Sequence, residues 1–235
     1  MAIAFDAATD GGNGASVHSF AHTCTGTDRI LLVALSVDDG TVPTVTYNSV
    51  AMTEVSRTTA DSVRDHFLFY LINPASGSNT VAVTNSAGTI FAGAASYTGA
   101  KQTGQPDSFA TNTTASATTI TGTTTVVASN CWLVGCGQAD GGTSSGGTGT
   151  TKRAQYGGFP QFALIDSNAT VATGAQSLVL DGNLSAAMNI IVASIAPAVA
   201  GGPANLKSYN TNLKANIKSI NTNLIANVKS LNTNV

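Results

Sequence analysis

The first 196 residues carry short runs in which apolar and polar positions alternate, or in which every position is apolar. In the run 44–48, Val45 and Tyr47 fall on one face, which is typical of a half-buried strand. The runs Ile30–Leu35 and Phe67–Ile72 are apolar at every position. They are interpreted as central strands, or as strands whose outer face meets another subunit.

Turn residues separate these runs at regular intervals, for example at Asn73-Pro74 and Asp181-Gly182. About a dozen short strands with no helical spacing between them favour an all-β fold, a β-sandwich or jelly roll spanning residues 1–196. The glycine-rich stretch 137–158 is interpreted as one long surface loop, and long loops in compact domains are often functional or flexible. A Pro/Gly-rich linker, 197–204, closes this part of the chain.

An 11-residue repeat follows the linker over residues 205–235, in two full copies and a truncated third. Each copy contains Lys-Ser and Asn-Thr-Asn at the same positions, and apolar residues recur at intervals of three and four. We predict that these apolar positions form an oligomerisation and anchoring arm: Leu206, Tyr209, Leu213, Ile217, Ile220, Leu224, Val228, Leu231 and Val235.

Three conformations of this arm remain open. An 11-residue period corresponds to about 3.67 residues per turn, which predicts a right-handed coiled coil. The frequent Asn, Thr and Ser residues favour turns, which predicts a β-stalk in which each Asn-Thr-Asn is a turn. The third conformation is an extended polar arm. Each requires partner chains, because a segment of this length cannot bury its apolar stripe alone, so we expect a homo-oligomer, with a trimer favoured.

The charge distribution separates the same two parts. Only 9% of the residues are charged. Residues 1–200 contain all 12 acidic residues and six of the 10 basic ones, a net charge of −6, whereas 205–235 contain four lysines and no acid. The overall charge of −2 argues against nucleic acid as a partner. No apolar run approaches the roughly 18 residues of a membrane span, and the N-terminus lacks the pattern of a signal peptide.

Residues that could carry chemistry are few. Cys24, Cys131 and Cys136 are expected to be reduced core thiols. His18 and His22 share a strand face, but no third ligand accompanies them, so neither a metal nor a cofactor is predicted. The pattern Gly-x-Ser-x-Gly at 142–146 lies in a glycine-rich stretch rather than between a strand and a helix, so we predict no catalytic residues.

Several segments of the chain resemble a largely uncharacterised β-sandwich module of phage structural proteins and environmental bacterial surface proteins. The repeat units are similar to the Lys-Ser-Ile-Asn repeats of phage virion proteins. These resemblances imply a structural or adhesive role and bring no catalytic residues with them. The segments that carry the first resemblance are Cys24–Val33, Val45–Asn48, Tyr70–Gly77, Ala95–Gly99 and Ile165–Asn168.

Together these features predict a non-enzymatic structural protein of a phage virion: a capsid decoration, head-fibre or tail-fibre component. Its β domain would face outward, and its arm would anchor it to copies of itself or to other virion subunits. The alternative is a subunit of a bacterial extracellular filament or a surface adhesin. In either role the protein could bind carbohydrate, including host surface glycans.

Overall fold

The structure is a computed structural model that describes residues 1–38, 41–59, 64–86, 88–140, 142–156 and 162–198. They belong to one compact unit, Met1–Ala198. The arm 205–235 and its nine predicted anchor residues lie outside the described residues. The described residues contain no helix and form strands that pair antiparallel: β1 (Ala4–Gly14), β2 (Val17–Cys24), β3 (Ile30–Asp38), β4 (Thr44–Tyr47), β5 (Val50–Ala51), β6 (Thr53–Thr59), β7 (Arg64–Ile72), β8 (Gly77–Thr84), β9 (Ile90–Thr98), β10 (Ser108–Val126), β11 (Trp132–Ala139), β12 (Ser144–Gly146), β13 (Thr151–Tyr156), β14 (Phe162–Asp166) and β15 (Gly174–Ile195).

Strands β1 to β9 form a first pair of stacked sheets. A five-stranded sheet has the order β1-β9-β3-β7-β6, and a four-stranded sheet has the order β2-β8-β4-β5. Alternate residues of β3, such as Leu31 and Val33, pack between the two sheets against Tyr47 and Val81. We call this pair of sheets the first sandwich.

Strands β10 to β15 form a second sandwich from one sheet that folds back on itself. Two long strands, β10 with 19 residues and β15 with 22, pair along most of their length. Their register shifts between Thr114 and Thr119, and the ribbon bends there. Residues 108–114 and 188–195 join β11, β14 and β13 in one layer. Residues 119–126 and 174–181 form the opposite layer, with Leu178 and Leu180 packed against Leu133.

The two sandwiches stack through their five-stranded layers. Leu32 and Leu68 of the first sandwich share a buried cluster with Val134 and Leu164 of the second. Both faces of β3 are therefore covered by sheets of the same chain. This confirms the interpretation of Ile30–Leu35 as part of a central strand, and it accounts for the apolar outer face without another subunit.

The glycine-rich stretch 137–158 does not form the single surface loop that its composition suggested. It contains the end of β11, all of β12 and β13. A Cβ atom on Gly137 would lie 2.9 Å from Leu180 Cδ2 and even closer to the carbonyl oxygen of Asn189. Glycine at this position therefore permits close packing of layers, a role that composition alone does not distinguish from a loop.

No helix in the described ranges has the length and apolar character needed to cross a membrane.

Candidate functional site

The described residues place the chemistry-bearing side chains inside the two sandwiches. Trp132, Phe67 and Phe69 are buried, and their aromatic side chains form part of the hydrophobic cores. Polar side chains form two clusters. One surrounds Asp6 in the first sandwich, and the other surrounds Asp166 where the sandwiches meet.

The Asp6 cluster consists of Asp6, Thr9, His22, Thr25 and Ser96. The backbone N–H of Thr25 donates to Asp6 Oδ2 at 2.8 Å, and the Ser96 hydroxyl donates to the same oxygen at 2.7 Å. The Thr25 hydroxyl donates to Asp6 Oδ1. Burial alone would raise the pKa of Asp6, but the hydrogen bonds from Thr25 and Ser96 lower it below its ordinary value. The cluster therefore keeps an ionised carboxylate that joins β1 to the end of β2.

His22 is almost completely buried in this cluster. Its Nδ1 shares a hydrogen bond of 2.9 Å with the Thr9 hydroxyl, and its Nε2 has no hydrogen-bond partner among the described residues. Desolvation lowers the pKa of His22 to about 4, and the charge of Asp6 opposes this shift only in part. His18 lies on the same face of β2, as predicted, and its Nε2 is 2.8 Å from the carbonyl oxygen of Gly11.

The buried neutral state of His22 makes the stability of the protein depend on pH. The unfolded chain binds a proton at this residue below about pH 6.5, and the folded chain binds it only near pH 4. We therefore expect the free energy of unfolding to fall by roughly 2–3 kcal/mol between those pH values. Urea unfolding at pH 7, 5.5 and 4 measures this loss, and the variant His22→Gln should lose much less.

His18→Gln provides the matched control, because this residue lies on the same strand face but is only half-buried. Its variant should keep the loss of stability seen in the original chain. If His22→Gln loses as much stability on acidification as the original chain does, the buried histidine is not the source.

All three cysteines are free and buried, as predicted. Each lies in a different hydrophobic cluster, so no two of them face each other across a shared core. Burial raises the pKa of the Cys24 thiol and of the Cys131 thiol. Since the thiolate is the reactive form, neither residue is activated as a nucleophile.

The Asp166 cluster consists of Phe5, Tyr97, Arg153, Asp166 and Asn168. Asp166 is fully buried, and Arg153 Nε donates to its Oδ2 at 2.6 Å. The Tyr97 hydroxyl donates to the same oxygen at 3.0 Å, and the backbone N–H of Asn168 donates to Oδ1 at 2.9 Å. The Arg153 guanidinium also lies 4.2 Å from the centroid of the Phe5 ring. The buried carboxylate is thus paired with a cation and accepts hydrogen bonds at both of its oxygens.

This cluster connects the sandwiches, because Phe5 and Tyr97 belong to the first and the other members to the second. Burial raises the pKa of Tyr97 well above its ordinary value, and the adjacent carboxylate of Asp166 adds to the effect. The phenol therefore stays protonated and acts as a hydrogen-bond donor. Sequence reasoning missed the cluster. The available signal was an acidic residue, Asp166, that directly follows the apolar run 162–165 with no turn residue before it.

Ser144 and the acidic residues outside the two clusters are not brought together as chemical sites. Ser144, in the Gly-x-Ser-x-Gly pattern, begins the short strand β12, and its buried hydroxyl accepts the backbone N–H of Ala139 at 2.9 Å. Glu54 and Asp65 lie near opposite ends of the pairing between β6 and β7. Asp38 forms an ion pair with Arg64 at 2.9 Å. In the part of the chain that the structure describes, no group of three or more His, Cys, Asp or Glu residues could hold a metal ion.

Comparison with models of known protein families, with curated proteins and with solved structures finds no match.

Proposed function

We propose that this protein is a structural component of a phage virion, as a capsid decoration, head-fibre or tail-fibre protein. It consists of a β-sandwich or jelly-roll head and a C-terminal arm of 11-residue repeats, which joins it to copies of itself and to other virion subunits. The observation that carries this proposal is the repeat, because an apolar stripe sustained over 205–235 requires other chains to cover it.

The interior of the head supports a scaffolding role. The titratable side chains of the Asp6 and Asp166 clusters are engaged in hydrogen bonds or ion pairs within the chain. Cys24 and Cys131 have thiols whose pKa is raised by burial. Such groups stabilise stacked sheets, and they are not poised to transfer a proton or attack a substrate.

The arm can be tested by breaking its apolar stripe. We expect Ile217→Asn combined with Ile220→Asn to abolish oligomerisation, because two polar amides would replace adjacent apolar contacts. Size-exclusion chromatography with light scattering measures the mass, and a trimer should become a monomer. Lys218→Gln combined with Lys229→Gln is the control, and it should weaken the oligomer only modestly because exposed charges contribute little.

An oligomer that survives the two isoleucine substitutions contradicts the apolar-stripe model. A monodisperse monomer of the original chain, with an arm that proteases remove readily, contradicts the structural function itself.

The alternative function is a subunit of a bacterial extracellular filament or a surface adhesin. The repeat arm supports it as well, because an arm that docks on the next subunit produces a filament when the contact does not close. Electron micrographs of purified protein distinguish the two: open polymers favour the filament, and closed oligomers favour the virion component. A glycan array tests the accompanying carbohydrate binding, and an array without signal excludes it for the sugars sampled.

A further inference from the structure

The two sandwiches repeat one strand order. In the first, the layers are β1-β9-β3-β7-β6 and β2-β8-β4, with β5 at the edge. In the second sandwich, the position of β3 is taken by β11, that of β6 by β13 and that of β7 by β14. The position of β4 is taken by β12. The two halves of β10 replace β1 and β2, and the two halves of β15 replace β8 and β9. The replacements follow the order of the chain without exception.

Residue pairing extends the correspondence to single positions. Leu32 of β3 pairs with Ala95, and Val134 of β11 pairs with Ala193. With these residues matched, a register shift between Glu54 and Ser56 in β6 coincides with the one between Lys152 and Ala154 in β13. Bulges at matching positions of two edge strands indicate a shared structural plan, because such irregularities are specific local features.

The matched positions also share unusual backbone features. Asp28 and Asn130 each lie two residues before the central strand of their sandwich, with positive φ angles of 51° and 60°. Gly77 and Gly174, at the starts of β8 and β15, have φ angles of 86° and 97°. Positive φ is uncommon at a non-glycine residue, so its recurrence at Asp28 and Asn130 supports repetition of the module.

An aspartate performs the same task in each sandwich. Asp6 accepts the backbone N–H of Thr25 at 2.8 Å, just after β2. Asp107 accepts the backbone N–H of Val127 at 2.7 Å, just after the matching half of β10. Both carboxylates therefore tie the beginning of one strand to the end of the next at corresponding places.

The sandwiches contact each other with exchanged roles, as the two copies of a twofold dimer do. Strand β1 contacts β13, and β6 contacts β10, whose first half corresponds to β1. His66 pairs with Ser36, and Phe162 pairs with the corresponding Gln138. The rings of these two corresponding residues lie 5.3 Å apart across the contact. A residue that meets its own counterpart marks the twofold axis of an isologous interface.

We infer that the unit Met1–Ala198 is a fused dimer of one repeated module, and that the five-stranded sheet of the module is a surface for pairing with a second copy. The connections agree with a twofold arrangement. Ala100, after the first module, forms an antiparallel bridge with Pro197, after the second. The N-terminal amine of Met1 donates to the carbonyl oxygen of Ala198 at 2.9 Å. This inference does not depend on the proposed virion function.

Cleavage between the modules tests the pairing surface in the full chain. A specific protease site placed at 102–104 divides the chain into an N-terminal and a C-terminal piece. After cleavage, the pieces are separated in urea, refolded together and weighed by native mass spectrometry. We expect pairs of two N-terminal pieces at about one tenth or more of the abundance of the mixed pair, which corresponds to a difference of about 1.4 kcal/mol or less. The N-terminal piece lacks the arm, so such pairs cannot form through the repeats.

A cut inside the first module is the matched control. Cleavage at Ser76, in the exposed turn between β7 and β8, leaves no complete module in the N-terminal piece. After refolding, this N-terminal piece should pair only with the C-terminal piece from which it was cut. The inference is overturned if cleavage at 102–104 also yields only mixed pairs, or if its N-terminal piece stays unpaired or precipitates.

Discussion

Replacing Arg153 with methionine is expected to lower the free energy of unfolding by about 3 kcal/mol, within the range for removing one partner of a buried ion pair. The change leaves the fully buried carboxylate of Asp166 without its cation, which lies 2.6 Å away in the folded chain. Hydrogen bonds from Tyr97 and Asn168 remain and place the expected loss at the lower end of that range. Urea unfolding at pH 7 measures it.

A second Arg–Asp pair in the same chain serves as the control. Arg64 and Asp38 lie 2.9 Å apart, but their side chains are 21% and 31% exposed. Arg64→Met should therefore cost about 1 kcal/mol or less. Adding Asp166→Asn to Arg153→Met should recover part of the loss, because it removes the uncompensated charge. Equal losses in the two arginine variants would contradict a special role for the buried pair.

The strands that the sequence predicted best are those with continuous apolar runs. The run Ile30–Leu35 lies within β3, and Phe67–Ile72 lies within β7. Both faces of these runs pack against other sheets, which favours apolar side chains at successive positions. The prediction was wrong where one strand bends. Asp181-Gly182 was interpreted as a turn, but β15 continues through it. At this bend the strand passes from one layer to the other, so its alternation of apolar and polar positions is lost.

The internal repetition escaped sequence reasoning because matched core positions hold different side chains. Ser36 corresponds to Gln138, and Phe91 corresponds to Asn189. A packed interface constrains the summed volume of facing residues more than the identity of each, so two fused copies can diverge in their cores. What persists is hydrogen bonding between a side chain and the backbone, as at the carboxylates of Asp6 and Asp107. Each such signal is a single residue, and its correspondence in the two modules can be recognised only once the strand order is known.

The same reasoning applies to the two clusters. A buried ion pair such as Arg153–Asp166 joins residues on neighbouring strands, and no spacing of residues along the chain predicts it. His18 and His22 were placed correctly on one face of a strand, because strand periodicity is local. Their burial differs for a reason that periodicity does not contain: Thr9 and Asp6 of β1 lie beside His22.

The fold-back of the second sandwich leads to the other large expected effect, at Gly122. A Cβ atom there would lie 3.0 Å from Ile190 Cγ2 and closer still to Val192 Cγ2, in the facing layer. Gly122→Val should therefore lower the free energy of unfolding by about 3 kcal/mol through overpacking. The higher strand propensity of valine opposes this by only about 1 kcal/mol, so steric conflict decides the sign. Chemical unfolding measures the change.

The conflict at Gly122 involves side chains only, so a compensating substitution should relieve it. Val192→Ala removes the nearest atom. The loss in free energy of unfolding of the double variant should therefore be smaller than the sum of the two single losses, by about 1 kcal/mol or more. Thr121→Val, on the exposed face of the same strand, should change stability by about 0.5 kcal/mol or less. Additive losses at Gly122 and Val192 would mean that the two halves of the ribbon do not pack face to face.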